Sequence, residues 1–159
     1  MKFLKIRDVK DPSRGTSKSA GIDLFVPNDF EYRTLSPGQS VLIPAGLKAN
    51  VPENYAFIAF NKSGVATKKH LAVGACVIDE DYQGEIHIHL VNVGNEYVTI
   101  KPGTKIAQFI LVPVSYQGVE VVPEAELFPE ATERGEGGFG LGTGEGSKSD
   151  IKPLDSNEL

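Results

Sequence analysis

Short apolar or alternating runs recur along the chain, broken by Gly, Pro and Asn. That punctuation predicts strands near residues 2–7, 21–26, 31–35, 39–43, 47–51, 55–60, 73–78, 85–93, 97–100, 105–114 and 119–122. "SPGQ" (36–39), "PENY" (52–55), "VGNE" (93–96) and "KPGT" (101–104) supply turn chemistry between them. Only "SGVATKKHL" (63–71) reads as a short helix, with Ser63 a candidate N-cap. No helical repeat or heptad is present. Many short strands at even spacing predict an all-β sandwich or barrel.

Composition changes the picture at one place. From about Pro123 the chain is rich in Gly, Glu and Ser and poor in apolar residues. Such a segment buries too little surface to offset its ordering entropy, so it reads as a flexible arm. Inside it stands "RGEGGFG" (134–140), an Arg and a Phe framed by glycines that let backbone approach a ligand. The predicted organisation is a β-barrel domain over 1–123, an arm over 124–144 and a disordered tail over 145–159.

The 159 residues suffice for one core without staples. The longest apolar stretch, Ile106 to Val114, is too short for a membrane span and is interrupted by Gln108 and Pro113. "MKFLKIRDVK" lacks the apolar block of a signal peptide. A single cysteine forbids an internal disulfide and excludes two-cysteine zinc sites, which fits a reducing, cytoplasmic setting, or a host-cell interior for a viral chain. A net charge of −5 disfavours a nucleic-acid polymer as partner, though not a mononucleotide.

Candidate chemistry lies in five stretches. In "CVIDEDYQGEIHIHL" (76–90) three acids, Asp79, Glu80 and Asp81, share a hairpin tip with Tyr82. Asp79 reads as a general base or as a turn acid satisfied by its own backbone. In "SAGIDL" (19–24) Asp23 is a strand-interior acid that needs a partner, either a Lys or Arg or a metal-bound water. "NKSG" (61–64) groups Lys62, the Ser63 hydroxyl and the open backbone of Gly64, a donor set suited to phosphate. Gln108 is an amide inside an apolar strand, either a satisfied core group or a donor aimed at a site. His87 and His89 share a strand face but lack a third ligand, so packing or surface roles suit them better than metal binding.

In this order and spacing the five stretches resemble the five motifs of the trimeric dUTPase family. "AGIDL", "KSG", "VIDEDYQGEI", "GTKIAQ" and "RGEGGFG" correspond to motifs one to five and cover residues 15–144. The resemblance implies a jelly-roll-like subunit in a homotrimer, each active site shared between chains. It implies Mg²⁺-assisted hydrolysis of dUTP to dUMP and pyrophosphate, which keeps uracil out of DNA and supplies dUMP for thymidylate synthesis. By the same resemblance Asp79 activates the attacking water and Tyr82 lies under the deoxyribose. Backbone near Ala75, Cys76 and His87 reads uracil. Lys62, Ser63, Gly64 and Gln108 hold the phosphates, and Asp23 reaches Mg²⁺ through water. Arg134 clamps the γ-phosphate and Phe139 stacks on the base, with Gly140 and Thr143 beside them.

Three departures stand out. Lys62 replaces the family's usual Arg, Cys76 a common Gly, and the family's Ser-Thr after the fifth motif reads Leu141-Gly142-Thr143. Two other readings keep the fold: a nucleotide-binding regulatory protein with weak turnover, and a hydrolase related to the dCTP deaminases.

Overall fold

The structure is a computed structural model that describes residues 1–75 and 77–137. Its first compact unit spans Met1–Tyr116, and a second begins at Gln117. Eleven strands make up nearly all the regular structure: β1 (Lys2–Lys5), β2 (Ile22–Phe25), β3 (Arg33–Leu35), β4 (Ser40–Pro44), β5 (Leu47–Asn50), β6 (Tyr55–Asn61), β7 (Leu71–Val73), β8 (Val77–Ile78), β9 (His87–Asn92), β10 (Val98–Ile100) and β11 (Lys105–Pro113). Two short helices accompany them, α1 (Ser63–Lys69) and α2 (Glu124–Leu127). The predicted all-β class is what the chain adopts.

The strands pair antiparallel in four groups. The largest runs β2-β11-β6-β8, a second β4-β9-β7, and two ribbons are β1-β5 and β10-β3. All four contribute to one core. Leu24, Phe57, Ile78, Ala107 and Phe109 of the large sheet share it with Ile43, Leu71, Ile88 and Leu90 of the second. Alternation explains this division. On β9, Ile88, Leu90 and Asn92 point inward while His87, His89 and Val91 face outward. Phe57 and Phe109 stack at the centre with ring centroids 4.9 Å apart. The buried amide of Asn92 is satisfied by the carbonyls of Leu35 (3.1 Å) and Glu96 (2.8 Å).

Three local expectations are corrected. The run predicted as one strand over 73–78 divides into β7 and β8, with a bend at Gly74-Ala75. No strand forms at 119–122, where Val119 and Val121 are each 97% exposed, because alternation without a ladder partner leaves the backbone unpaired. The N-cap of α1 is Lys62, in extended conformation and without a side-chain cap, so Ser63 opens the helix instead of capping it. His70 ends α1 in the left-handed region at φ 51°, a position that a C-cap commonly occupies.

Candidate active site

The first cluster forms where β2 and β11 meet the end of β6. Gln108 on β11 lies opposite Asp23 on one side and Phe60 on the other. Asp23 is buried, and its two carboxylate oxygens accept from Lys62 Nζ (2.6 Å) and Lys105 Nζ (2.8 Å). This is the basic partner that a strand-interior acid demands. Burial opposes ionisation of Asp23, but hydrogen bonds and charge from Lys105 and Lys62 outweigh it and hold the carboxyl below its ordinary 3.8.

Gln108 Nε2 donates to the carbonyl of Asn61 (2.9 Å), which fixes the amide beside Lys62. Gly21 makes room for it: a Cβ there would lie 2.2 Å from the Gln108 side-chain oxygen. Ser63 and Gly64 open α1, so their N–H groups precede its first internal bonds and have no partner within the helix. A Cβ on Gly64 would meet open space, so internal packing does not require glycine there.

The acid's contribution to stability has a definite sign. A carboxyl whose folded pKa lies below its unfolded value of about 3.9 contributes fully above that value. The contribution is lost as pH falls through the lower, folded pKa. Asp23→Asn leaves both ammonium groups without their counter-charge and is expected to cost about 2 kcal/mol at neutral pH, less than for a fully buried pair because both lysines are partly exposed. Thermal melts between pH 7 and pH 3 check this: the gap between wild type and variant should narrow on acidification. A gap that widens would contradict the pairing.

The second cluster is the hairpin between β8 and β9. A groove of about 250 Å³ opens there, with Leu42, Ala75, Val77, Tyr82, Glu85 and His87 among its walls. Glu85 anchors it. Its carboxylate accepts from Arg7 Nε (3.1 Å) and from the N–H of Gly46 (2.8 Å). Its carbonyl accepts from the Tyr82 hydroxyl (2.9 Å) and lies 2.9 Å from His87 Nδ1. Tyr82 therefore lies folded over Gly84, where a Cβ would stand 2.4 Å from the phenol oxygen. The tip acids Asp79, Glu80 and Asp81 line a shallow pocket with Tyr116, which is itself exposed. Its phenol is pushed up by desolvation and then by the charges of Glu80, Asp79 and Asp81. Glu80 is held away from the groove by the N–H of Asn54, itself at φ 62°. The hairpin tip is thus pinned to the start of β6.

Asp79 does not reach the donor cluster of its own chain. Ile78 pairs with Phe57, so Asp79 stands level with Ala56, while Gln108 pairs with Phe60. Four residues along β6 and two strand spacings across put Asp79 about 16 Å from Gln108.

Arg134 lies in the second unit, exposed, in a turn where its Nε donates to the Gly137 carbonyl (2.8 Å). Cys76, Phe139, Gly140 and Thr143 lie outside the described residues. Sequence reading missed Lys105 and Glu85. Lys105 sits in a run where Gln108 drew attention, and Glu85 looked like one more hairpin charge. Neither pairing, across 82 and 78 positions respectively, has a local signature.

Comparison with known proteins adds a second line. The family model described as dUTPase matches residues 7–143. A deoxyuridine 5'-triphosphate nucleotidohydrolase from Mus musculus is 36% identical over 141 residues, covering 88% of this chain and 83% of that protein. One from Desulfotalea psychrophila is 41% identical over 131 residues, covering 81% of this chain and 84% of its own length. The solved dUTPase of Staphylococcus bacteriophage 80alpha, with dUPNHPP, superposes with a TM-score of 0.76 at 26% identity, over 88% of this chain and 96% of that one.

Proposed function

Because the chain belongs to the dUTPase family, we infer that its reaction is the hydrolysis of dUTP to dUMP and pyrophosphate. The protein is a dUTP diphosphatase, an enzyme of nucleotide metabolism. The observation that carries this reading is the match of one family over 7–143, which spans every stretch singled out for chemistry.

The active site is assembled from chains of a homotrimer of jelly-roll-like subunits. The register supports this division, since the donor cluster and Asp79 are too far apart to act on one phosphorus within a chain. Lys62, Ser63, Gly64 and Gln108 of one subunit hold the triphosphate, with Lys105 adding a second cation at the same place. A second subunit offers the hairpin groove to the nucleoside. Tyr82 forms its sugar platform, while backbone at Ala75, Cys76 and His87 reads uracil. Asp79, one residue past the groove residue Ile78, takes a proton from the water that attacks the α-phosphorus. The negative charge that then builds on the departing pyrophosphate meets fixed cations and N–H donors, which need no reorganisation at the moment of reaction. The arm over 124–144 brings Arg134, Phe139, Gly140 and Thr143 over a neighbour's site. The proposed setting is the cytoplasm, or a host-cell interior for a viral chain. Among the described residues no helix is long and apolar enough to cross a membrane.

Magnesium fits this site as a companion of the substrate. Among the described residues no three His, Cys, Asp or Glu side chains gather to hold a metal. Asp23, assigned by resemblance to a metal-bound water, has both oxygens taken up by ammonium groups. Mg²⁺ bound with the triphosphate as Mg·dUTP would add charge neutralisation beside Lys62 and Lys105, and Asp23, which holds both lysines, still keeps acceptor capacity for a metal-bound water.

Pyrophosphate release from each deoxynucleoside triphosphate, with and without Mg²⁺, tests the reading. Release is expected from dUTP, stimulated by Mg²⁺, with dCTP and dTTP poor substrates. Nucleotide binding without release would favour the regulatory alternative, and ammonia from dCTP the deaminase-related one.

A further inference from the structure

We propose that His89 is a positioning residue for base selection, holding the backbone bend that forms one wall of the hairpin groove. The inference rests on that groove being the nucleoside site. Its own evidence is local.

Residue 89 takes up two successive N–H groups of the bend. Its backbone carbonyl accepts from Gly74 N–H (3.0 Å), and its ring Nδ1 accepts from Ala75 N–H (3.1 Å). The contact is close: a Cβ on Gly74 would lie 2.0 Å from Nδ1. The ring can accept at Nδ1 only while that nitrogen carries no proton, so the neutral side chain holds its hydrogen on Nε2. His87, two residues earlier on the same face, has the opposite arrangement. Its Nδ1 stands 2.9 Å from the carbonyl of Glu85, an acceptor, and so carries the proton.

This bond helps to fix the orientation of the peptide between Gly74 and Ala75. In a trans peptide the C=O points opposite to the N–H, so holding the Ala75 N–H toward β9 aims the Gly74 carbonyl the other way. Turning this unit over rotates ψ of Gly74 and φ of Ala75; glycine opposes the first little, and the His89 bond adds to the resistance that the Ala75 Cβ offers to the second. A flip exchanges an acceptor for a donor on the bend beside the groove. Uracil and cytosine differ in just that sense at the edge a backbone would read: uracil carries N3–H and a C4 carbonyl, cytosine a bare N3 and a C4 amino group. Holding the peptide in one orientation therefore supports choosing one base over the other. The bend also leads into Val77 and Ile78, two more groove residues.

The test uses the full chain. His89→Val removes the acceptor, whereas His89→Asn keeps one, since asparagine Oδ1 lies where histidine carries Nδ1. The readout is the ratio of kcat/KM for dUTP to that for dCTP. We expect His89→Val to lower it by about tenfold, the effect of one lost hydrogen bond at a recognition surface, and His89→Asn to stay within about threefold of wild type. Unchanged discrimination in His89→Val, or equal loss in both variants, would overturn the proposal.

Nitrogen-15 NMR of the wild-type imidazoles gives a reading independent of turnover and of how the variants fold. His89 is expected as the Nε2–H tautomer and His87 as the Nδ1–H tautomer. A proton on His89 Nδ1 overturns the proposal at the hydrogen bond. A wild-type enzyme with no preference for dUTP over dCTP overturns it at the site on which it rests, so the two failures are told apart.

Discussion

Replacing Asp79 with asparagine is expected to lower kcat for dUTP hydrolysis by about 10³-fold, within the range that a positioned general base contributes. The change removes the basic oxygen and keeps size and hydrogen-bonding capacity, so KM should move little. The structure supports a clean result. Among the described residues Asp79 makes no ion pair, and it lies just past β8, so its loss leaves the core untouched. Glu80 and the backbone carry the structural duties of the tip: Glu80 accepts from Asn54, and Tyr82 N–H bonds back to the Asp79 carbonyl (3.2 Å), which the substitution retains. Single-turnover assays alongside binding of a non-hydrolysable dUTP analogue check the split. A variant that binds normally and turns over normally would remove Asp79 from the chemistry.

Much of this molecule was legible from its letters because alternation is a local signal. β9 appears where polar and apolar residues alternate, and β4, β6 and β11 where short apolar runs stand between turn residues. The failures come from partners distant in sequence. "VEVV" alternates as well as any strand, yet a strand also needs a ladder beside it, and Val119 and Val121 stand in solvent. The run over 73–78 looked continuous. It bends because a histidine 14 residues away captures the Ala75 N–H.

Site residues follow the same rule. Asp23 announced itself by being an acid among apolar neighbours, and the need for a basic partner could be deduced. Which partners could not. Lys62 and Lys105 reach it across 39 and 82 positions, and Lys62, read as a phosphate donor, is also a structural cation. Gln108 stood out as an amide on an apolar strand, but the Gly21 that makes room for it looked like any small residue. Least legible was the separation of Asp79 from the donor cluster. It follows from pairing register alone, and register is set by which faces must be buried.

That separation leads to the second large effect. If each site takes its donors from one chain and its base from another, two crippled enzymes should repair each other. Ser63→Ala disables the donor cluster at an exposed position on α1, and Asp79→Asn disables the hairpin. Each homotrimer alone should fall by about 10²-fold or more. In a one-to-one mixture of randomly assorted subunits, a site has a one-in-two chance of an intact Ser63 and, independently, a one-in-two chance of an intact Asp79. Activity should therefore rise to about a quarter of wild type, well over tenfold above either parent. A site built within one chain has no such route, since every chain carries one lesion.

Co-expression of the two variants with distinct tags, isolation of the mixed trimers and assay of pyrophosphate release from dUTP is the most direct measurement of the claim that catalysis is completed across a subunit boundary. Recovery to about a third of wild-type activity is the predicted result, since each isolated mixed trimer holds one intact site of three. Mixed trimers no more active than the average of their parents would contradict it.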